Sequence, residues 1–274
     1  MNTDSPVFFV VALQSEATPL IEHYKLKATA QSAFRCFSNG PVSLIVSGIG
    51  RINTAAATAA LLHSAPSLQN AVCVNAGIAG HHTLPVGRTF VAHRISDRAT
   101  GTDWYPPMTF NPACESSALH TVDEPTTDYP QAAGVDMEAS AFYPVAIRYL
   151  PGELTQVIKV VSDTPETSLD TLDKARISAL MKDATPTVAE CVSRLQTLAA
   201  GAADTSETTR ALTQYCKQWH LTVAQRNNLA RLLERHLALF RALPETELFA
   251  QEKTAKDMLR ALNLRVSSQG LRLS

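Results

Sequence analysis

Three carboxylates stand at strand ends or helix starts, where an α/β sheet presents side chains to a ligand. Glu16 follows the first apolar run, Glu138 lies in "GVDMEASAF" at a helix start, and Asp163 ends "VIKVVSD". A single acid at such a place can be a helix cap that interacts with the helix dipole. Several acids at one edge can also give and take protons, so the group is a candidate for acid–base chemistry.

Two small-residue stretches point to the same edge. "VSLIVSGIGRINTAAATAALL" ends an apolar run with Gly48, Ile49 and Gly50, and "VCVNAGIAG" brings Ala79 and Gly80 after another apolar run. We interpret both as turns that let the backbone bend and let a ligand approach, with helix amides pointing into the same space. Such turns also serve only to pack a helix close to a strand, and that alternative stays open here.

Apolar runs and amphipathic stretches alternate along the chain, and these elements must position the acids. Buried strands are predicted at residues 7–13, 42–46, 71–75, 89–95 and 157–161, and helices at 17–24, 53–63, 137–148 and 172–198. Alternation of this kind favours an α/β fold with a largely parallel sheet. Residues 98–134 are rich in Pro, Thr, Ser and Asp and are predicted to be mostly loop.

The composition limits the class of protein. The 274 residues are 45 % apolar and 18 % charged with a net charge of −1, which argues against disorder and against a surface that binds nucleic acid as a whole. The five cysteines are scattered without a Cys-x-x-Cys pair, which is typical of a reducing compartment. The first apolar run is too short for a signal core or a membrane span. We therefore expect a cytoplasmic protein.

The last quarter of the chain differs from the rest. A small-residue stretch at 199–206 predicts a linker, Thr222 and Gln225 form a capping box, and a second helix is expected from Pro244 to about Leu262. From Thr205 on there are 11 Lys and Arg against six Asp and Glu, so this part is basic. We expect domains at 1–200 and 201–274, the second a helical appendage; docking of a partner or nucleic acid is the less favoured reading.

Five motifs, in order, resemble those of the nucleoside phosphorylase/nucleosidase superfamily. They are "VVALQSEATPL", "SGIGRINTAAATAALL", "NAGIAGHHTLPVGRTFVAHRISD", "VDMEAS" and "KVVSDTPE", and they span about residues 7–198. The most similar branch is that of the 5′-methylthioadenosine/S-adenosylhomocysteine nucleosidases. The resemblance implies a three-layer α/β fold with a mostly parallel, mixed central sheet, here followed by a C-terminal helical extension.

The resemblance also implies roles for individual residues. Glu16 matches the acid that activates the attacking water, and Asp163, after Ser162, matches the acid that protonates the leaving purine. Met137 and Glu138 match the pair that holds the ribose. The remaining matches line the pocket, and they are Gly48, Ile49, Gly50, Ala79 and Gly80.

The residue types suit cleavage of an N-glycosidic bond. This reaction builds positive charge on the sugar and negative charge on the base, so it uses one acid near the base and one base near the sugar. A carboxylate at Glu16 repels phosphate, so we favour hydrolysis over phosphorolysis. Arg51, Arg88 and Arg94 are the residues that could provide a phosphate site instead, although Arg51 is expected to be structural.

One departure from the superfamily pattern concerns the base pocket. The segment between Asp97 and Asp136 is short, and it lacks the part that normally supplies an aromatic ring for stacking on the purine. Trp104, Tyr105 and Phe110 are candidates for a substitute, or else belong to a packed loop. The pair "HH" at 81–82 is expected to lie at a polar pocket rim rather than to bind metal.

We therefore expect a purine nucleosidase that acts on a 5′-substituted adenosine such as methylthioadenosine, adenosylhomocysteine or 5′-deoxyadenosine. It would need neither metal nor organic cofactor, and the resemblance implies a homodimer or larger homo-oligomer. No membrane or nucleic-acid partner is expected. The alternatives are a phosphate-dependent nucleoside phosphorylase and a non-catalytic nucleoside-binding module.

Overall fold

The computed structural model describes residues 5–29, 33–167, 172–202, 206–240 and 242–270. Contacts within the chain divide it into two compact units, Met1–Gly201 and Ala202–Ser274. Each unit has its own hydrophobic core, so the two are described in turn.

The first unit consists of a central sheet with helices on both faces. Its strands are β1 (Val7–Val11), β2 (Lys27–Ala28), β3 (Arg35–Asn39), β4 (Val42–Val46), β5 (Val72–His81), β6 (Thr89–Asp97), β7 (Asp103–Trp104), β8 (Glu115–Thr121), β9 (Ala133–Asp136) and β10 (Thr155–Asp163). Its helices are α1 (Gln14–Tyr24), α2 (Arg51–His63), α3 (Ala139–Ala146) and α4 (Lys174–Ala202).

The sheet is mixed, with a parallel centre. Strands β4, β1, β5 and β10 lie side by side and are parallel. Strand β6 is antiparallel to β10 and continues through β8 and β9 back to β5, so five strands close on themselves. This arrangement brings the carboxyl ends of β1, β5 and β10 together, which is where open α/β sheets bind ligands.

Alternating side chains of the sheet face two separate cores, which gives three layers. Phe9 of β1 packs with α1 and α4 in one cluster, whereas Phe8 and Val10 pack with α2 and α3 in the other. The period of two along a strand explains the split, because neighbouring side chains point to opposite faces. The predicted three-layer α/β fold is confirmed.

One local prediction in this unit was wrong and another was incomplete. Residues 98–134 are mostly loop, as predicted, but they also contain β8, which pairs in parallel with β6 and β9. The strand was missed because only part of "ESSALHT" is apolar. The turn expected at Ala79 and Gly80 does not exist, since β5 runs on to His81 and pairs with β10 as far as Gly80.

The second unit is helical, with α5 (Ser206–Gln218), α6 (Val223–Phe240) and α7 (Ala255–Gly270). Its core contains Tyr215 stacked on Trp219, with ring centroids 5.6 Å apart. The predicted capping box is present: the Thr222 amide donates to Gln225 Oε1 at 2.9 Å, and the Gln225 amide donates to Thr222 Oγ1 at 3.3 Å.

Two predictions about the second unit need correction. No helix runs from Pro244; a 3₁₀ turn at Thr246–Phe249 is followed by α7 from Ala255. The linker expected at 199–206 is partly helix, because α4 extends to Ala202 and α5 begins at Ser206, while residues 203–205 lie outside the described ranges. None of the described helices is long and apolar enough to cross a membrane.

Candidate active site

A cavity of about 210 Å³ lies beyond the carboxyl ends of β1, β5 and β10. Carboxylates and apolar side chains dominate its wall, and none of the described lining residues is Lys, Arg or His. The lining residues are Ala12, Leu13, Glu16, Ile49, Ile78, Ala79, Gly80, Val122, Pro125, Thr126, Tyr129, Val135, Asp136, Met137, Glu138, Ser162, Asp163, Leu172 and Ile177.

Glu16 is held in the cavity wall by backbone amides. It lies in the first turn of α1 and is 3 % exposed. Its Oε1 accepts the Ile78 amide at 2.8 Å and its Oε2 accepts the Leu13 amide at 2.8 Å. Gly77 makes room for it, because a Cβ there would lie 2.7 Å from Glu16 Oε1. Burial raises the pKa of Glu16, while Lys159 and the amides oppose that rise.

Glu138 stands at the N-cap of α3 and is also buried. Its Oε1 accepts the Gly50 amide at 2.9 Å, and its Oε2 lies 3.9 Å from the Lys159 ammonium. Burial is the main cause that raises the pKa of Glu138 to about 7, with attraction to Lys159 acting in the opposite direction. Near neutral pH this side chain can therefore change its protonation state.

Lys159 is a buried cation on β10 that lies close to these acids. Its Nζ lies 2.9 Å from Asp136 Oδ2, and its side chain is 2 % exposed. Asp136 is further held by the Thr121 hydroxyl at 2.7 Å and the Ala139 amide at 2.9 Å. Burial lowers the pKa of Lys159, but attraction to Asp136, Glu138 and Glu16 outweighs it, so the pKa is raised and the ammonium stays charged. We call Glu16, Glu138, Asp136 and Lys159 the charged end of the site.

Asp163 is held differently, by side-chain hydroxyls. It is the last residue of β10 and is 4 % exposed. The Ser162 hydroxyl donates to its Oδ1 and the Tyr129 hydroxyl donates to its Oδ2. Gly80 permits this packing, since a Cβ there would lie 2.5 Å from Asp163 Oδ2 and 2.4 Å from the Tyr129 ring. We call Asp163, Ser162 and Tyr129 the hydroxyl end.

The first glycine turn connects β4 to α2 as expected. Gly48 and Gly50 have φ of +86° and +94°, a backbone conformation that favours glycine. The turn brings Ile49 to the cavity and aims the Gly50 amide at Glu138. Gly48 and Gly50 themselves are not in the lining.

The structure thus brings together at one cavity most of the residues singled out from the sequence. Those that line it are Glu16, Ile49, Ala79, Gly80, Met137, Glu138, Ser162 and Asp163. Their catalytic and binding roles stay predictions. Of the two alternatives for the aromatic residues, the structure favours the packed segment: Trp104 and Phe110 pack against the two cores and Tyr105 is 65 % exposed, while Tyr129 is the aromatic residue of the described lining.

The histidine pair does not form a pocket rim. His81 is 1 % exposed, its Nε2 lies 2.9 Å from the Ser117 hydroxyl, and its Nδ1 accepts the amides of Thr83 and Leu84. His82 is exposed and does not contribute to the lining. Within the described ranges, no group of three or more His, Cys, Asp or Glu side chains is arranged to hold a metal ion.

The three arginines stay outside the described lining. Arg51 binds Asp123 through two nitrogens and Asp97 at 2.6 Å, so it fastens the start of α2. Arg88 pairs with Glu115 at 3.1 Å, with both side chains largely exposed. Arg94 Nε is buried and has no hydrogen-bond partner in the described structure.

Sequence reasoning missed Lys159, Asp136 and Tyr129. A lysine inside the apolar run "VIKVVSD" was a usable signal, because a buried lysine requires carboxylate partners. Asp136, two residues before Glu138 in "VDMEAS", offered such a partner. Tyr129 carried no comparable signal, since residues 122–132 form neither helix nor strand.

Comparison with known proteins supplies the class of fold. No protein-family model matches the chain, and no curated protein matches it. Several solved structures do match the chain. The Arabidopsis thaliana 5′-methylthioadenosine nucleosidase is 17 % identical with a TM-score of 0.58, over 70 % of this chain and 96 % of that one.

Two further solved structures are similar. The Colwellia psychrerythraea 34H MTA/SAH nucleosidase in complex with adenine is 20 % identical with a TM-score of 0.56, over 70 % of this chain and 95 % of that one. Helicobacter pylori futalosine hydrolase is 13 % identical with a TM-score of 0.56, and the match covers 69 % of this chain and 99 % of that one. The chain therefore has the nucleosidase fold, as the sequence resemblance implied, and the matched structures are covered almost completely.

Proposed function

We propose that this chain is a purine nucleosidase that hydrolyses the N-glycosidic bond of a 5′-substituted adenosine and releases the free base. The observation that carries the proposal is one cavity lined by Glu16, Glu138 and Asp163 and, among its described residues, by no cation. Similar solved structures include nucleosidases, one of them in complex with adenine, which supports the reaction class and the base.

Glu16 is the general base in this proposal. It takes a proton from the water that attacks the sugar, and burial raises its pKa, which makes its carboxylate a better proton acceptor. The amides of Leu13 and Ile78 fix both oxygens, so the carboxylate is oriented before substrate binds. Proton transfer of this kind contributes about 10²–10⁴-fold to a rate.

Glu138 holds the ribose through its hydroxyls. A carboxylate can accept two hydrogen bonds from neighbouring hydroxyl groups, and its charge stabilises the positive charge that develops on the sugar. The Lys159 ammonium attracts the Glu138 carboxylate and so helps to fix it, although Lys159 is not part of the described lining. Lys159 is therefore a positioning residue rather than a substrate-binding one.

Asp163 donates the proton that the leaving base needs. Departure of a purine places negative charge on its rings, and protonation of a ring nitrogen neutralises that charge. The apolar residues of the wall, among them Leu13, Ile49 and Ile78, suit an uncharged 5′ substituent. This favours methylthioadenosine or 5′-deoxyadenosine over adenosylhomocysteine, whose amino-acid group is charged.

Phosphorolysis is the less favoured alternative because of the charge of the wall. A phosphate nucleophile needs cationic donors near the sugar, and Arg51 and Arg88 are engaged in ion pairs away from the described lining. A cytoplasmic location and a homo-oligomeric state remain part of the proposal. A second alternative is a module that binds a nucleoside without turnover, and the experiment below distinguishes it.

The test is release of free base from a panel of purine nucleosides, with and without phosphate. We expect phosphate-independent release of adenine that falls at least about 100-fold in Asp163→Asn. Asp183→Asn, an exposed position on α4, is the matched control and keeps full activity. Release of base only in the presence of phosphate would indicate a phosphorylase, and binding of a nucleoside without release of base would indicate a nucleoside-binding module.

A further inference from the structure

Two cysteines that the proposed reaction does not use face each other where α4 packs against the chain just before β8. Cys191 lies on α4 and is fully buried, whereas Cys114 directly precedes β8 and is partly exposed. The two residues are 77 positions apart in the sequence, yet their sulfur atoms lie 3.9 Å apart. The fold therefore brings two distant thiols into direct contact.

The chain before Cys114 is fastened to α4 by hydrogen bonds as well. Arg194, on the same helix, donates from Nη1 to the carbonyl oxygens of Asn111 at 2.9 Å and Pro112 at 3.2 Å. The Ala113 amide donates to the buried sulfur of α4 at 3.4 Å. These bonds fix the backbone that leads to Cys114, so the contact between the sulfurs belongs to the folded state.

A disulfide bond between these sulfurs requires only a small movement. The bond length of a disulfide is about 2.0 Å, so the sulfurs have to approach by about 2 Å. Cys191 is held within α4, but Cys114 belongs to neither helix nor strand. The approach can therefore come from the side chain and backbone at Cys114 without a change in the helix.

The two thiols also differ in acidity and in access. The hydrogen bond from Cys114 is the main cause that lowers the pKa of Cys191 to about 7, with burial acting in the opposite direction. The same bond raises the pKa of Cys114. Because a thiolate is the nucleophile in thiol–disulfide exchange, Cys191 is prepared to attack a sulfur at position 114. Cys114 is the one of the two that a reagent in solution can reach.

We propose that Cys114 and Cys191 are a reversible oxidation site, at which a small-molecule disulfide converts the two thiols into an internal disulfide that fastens residues 111–114 to α4. The Cys114 sulfur attacks the small disulfide, forms a mixed disulfide and releases one small thiol. The Cys191 sulfur then attacks the Cys114 sulfur, forms the internal bond and expels the second small thiol.

This sequence of steps is balanced. Two protein thiols lose two electrons and two protons, and one small-molecule disulfide takes them up to give two small thiols. In a reducing compartment the pair stays as free thiols, so the bond forms only when the small-molecule pool becomes oxidising.

Oxidation of the full chain with glutathione disulfide under native conditions tests the proposal. The remaining free thiols are then alkylated, and the peptides are mapped by mass spectrometry without reduction. We expect a linked pair of peptides that contains Cys114 and Cys191. Cys36→Ser, at a partly exposed cysteine on β3, is the matched control and should form the same link. Cys73, which is fully buried on β5, should remain a free thiol and reports that the chain stayed folded.

Single variants separate the two steps. In Cys191→Ser, Cys114 should retain glutathione as a stable mixed disulfide, because no second thiol expels it. In Cys114→Ser, the buried Cys191 should stay unmodified. The oxidised wild type should unfold at a urea concentration about 1 M higher than its reduced form, since the bond closes a long loop in the unfolded chain. Neither variant should show this shift.

Three results would overturn the proposal, and the wild type alone can give each of them. They are two free thiols at positions 114 and 191 after oxidation, a stable mixed disulfide at Cys114, and a link from either residue to another cysteine. None of these results concerns release of a base, so the nucleosidase proposal stands or fails separately.

Discussion

The two ends of the cavity hold their carboxylates by different means. At the charged end, Glu16 is fixed by two backbone amides and Glu138 by two more, with the Lys159 ammonium nearby. At the hydroxyl end, Asp163 is fixed by the side chains of Ser162 and Tyr129. Amides of strands and helix starts move only with the fold, whereas a hydroxyl on a side chain can rotate.

This difference matches what each end has to do in the proposed reaction. A general base that activates water benefits from a fixed orientation, because misplacement of a reacting group by about 1 Å can cost on the order of 100-fold in rate. At the hydroxyl end, the donors on Asp163 are side chains, which can adjust when a large planar base binds beside it. Variants that disturb one end and spare the other can therefore test this difference.

The largest effect is expected at the general base. Glu16→Gln keeps the shape of the side chain but removes its capacity to accept a proton, so base release should fall about 10²–10⁴-fold. The measurement is kcat/KM for the best nucleoside of the panel. Glu22→Gln, exposed on the same helix, is the control and should match the wild type. A loss below about tenfold would assign water activation to another group.

Removal of the buried cation should cost stability rather than only activity. Lys159→Met leaves Asp136, Glu138 and Glu16 buried without their counter-charge, and breaking a buried ion pair on one side destabilises by about 3–5 kcal/mol. Urea unfolding monitored by circular dichroism measures the change. Lys182→Met, exposed on α4, should be neutral. If Lys159→Met is as stable as the control, the charged end does not depend on its cation.

The charged end should also make stability depend on pH. The pKa of Glu138 is raised to about 7 from an ordinary value of 4.5, so the folded protein keeps this proton after the unfolded chain has lost it. The unfolded state then binds fewer protons, and the free energy of unfolding falls as pH rises from about 4.5 to about 7. For this one group the fall is of order 1–3 kcal/mol.

Glu138→Gln isolates this contribution. The variant should lose part of the decline between pH 4.5 and 7 and keep the part that comes from Glu16, whose pKa is raised in the same direction. Glu153→Gln, at an exposed position, should follow the wild-type curve. Identical curves for Glu138→Gln and the wild type would mean that Glu138 stays ionised in the folded protein throughout this range.

The sequence predicted the acids Glu16, Glu138 and Asp163 better than the side chains that hold them, for a physical reason. Glu16, Glu138 and the glycine turn at Gly48 and Gly50 belong to strand ends and helix starts, and their positions follow from apolar periodicity. Asp163 was also predictable as the end of β10. Its partner Tyr129 was not, because its place depends on tertiary packing of a segment without helix or strand.

The same reason explains the errors in the fold. Strand β8 has a buried Ala118 and Leu119 between polar residues, and the partners that make it a strand, β6 and β9, are distant in sequence. The extension of β5 through Gly80 likewise comes from pairing with β10, which no local pattern of small residues predicts. Local propensity fails where pairing between strands decides.

Two glycines, one facing each end, give the last comparison, and one of them has the smallest expected effect. A Cβ at position 77 would lie 2.7 Å from Glu16 Oε1, and one at position 80 would lie 2.4 Å from the Tyr129 ring. Gly77→Ala pushes on a carboxylate that two amides hold from either side, so it should approach the upper end of the 1–3 kcal/mol cost of overpacking, about 3 kcal/mol. Gly80→Ala pushes on the Tyr129 ring and on Asp163 Oδ2, which lies 2.5 Å away; both belong to side chains that can rotate, so its cost should be about 1 kcal/mol.

Unfolding free energies of both variants measure this difference, with Gly152→Ala as a control at a glycine outside the described cavity lining. There an added Cβ would lie 3.1 Å from Tyr143 Oη, which is a milder clash. The Cβ of Gly80→Ala would also lie 2.5 Å from Asp163 Oδ2, so adenine affinity should fall in this variant. A larger loss of stability in Gly80→Ala than in Gly77→Ala would reverse the comparison and make the hydroxyl end the rigid one.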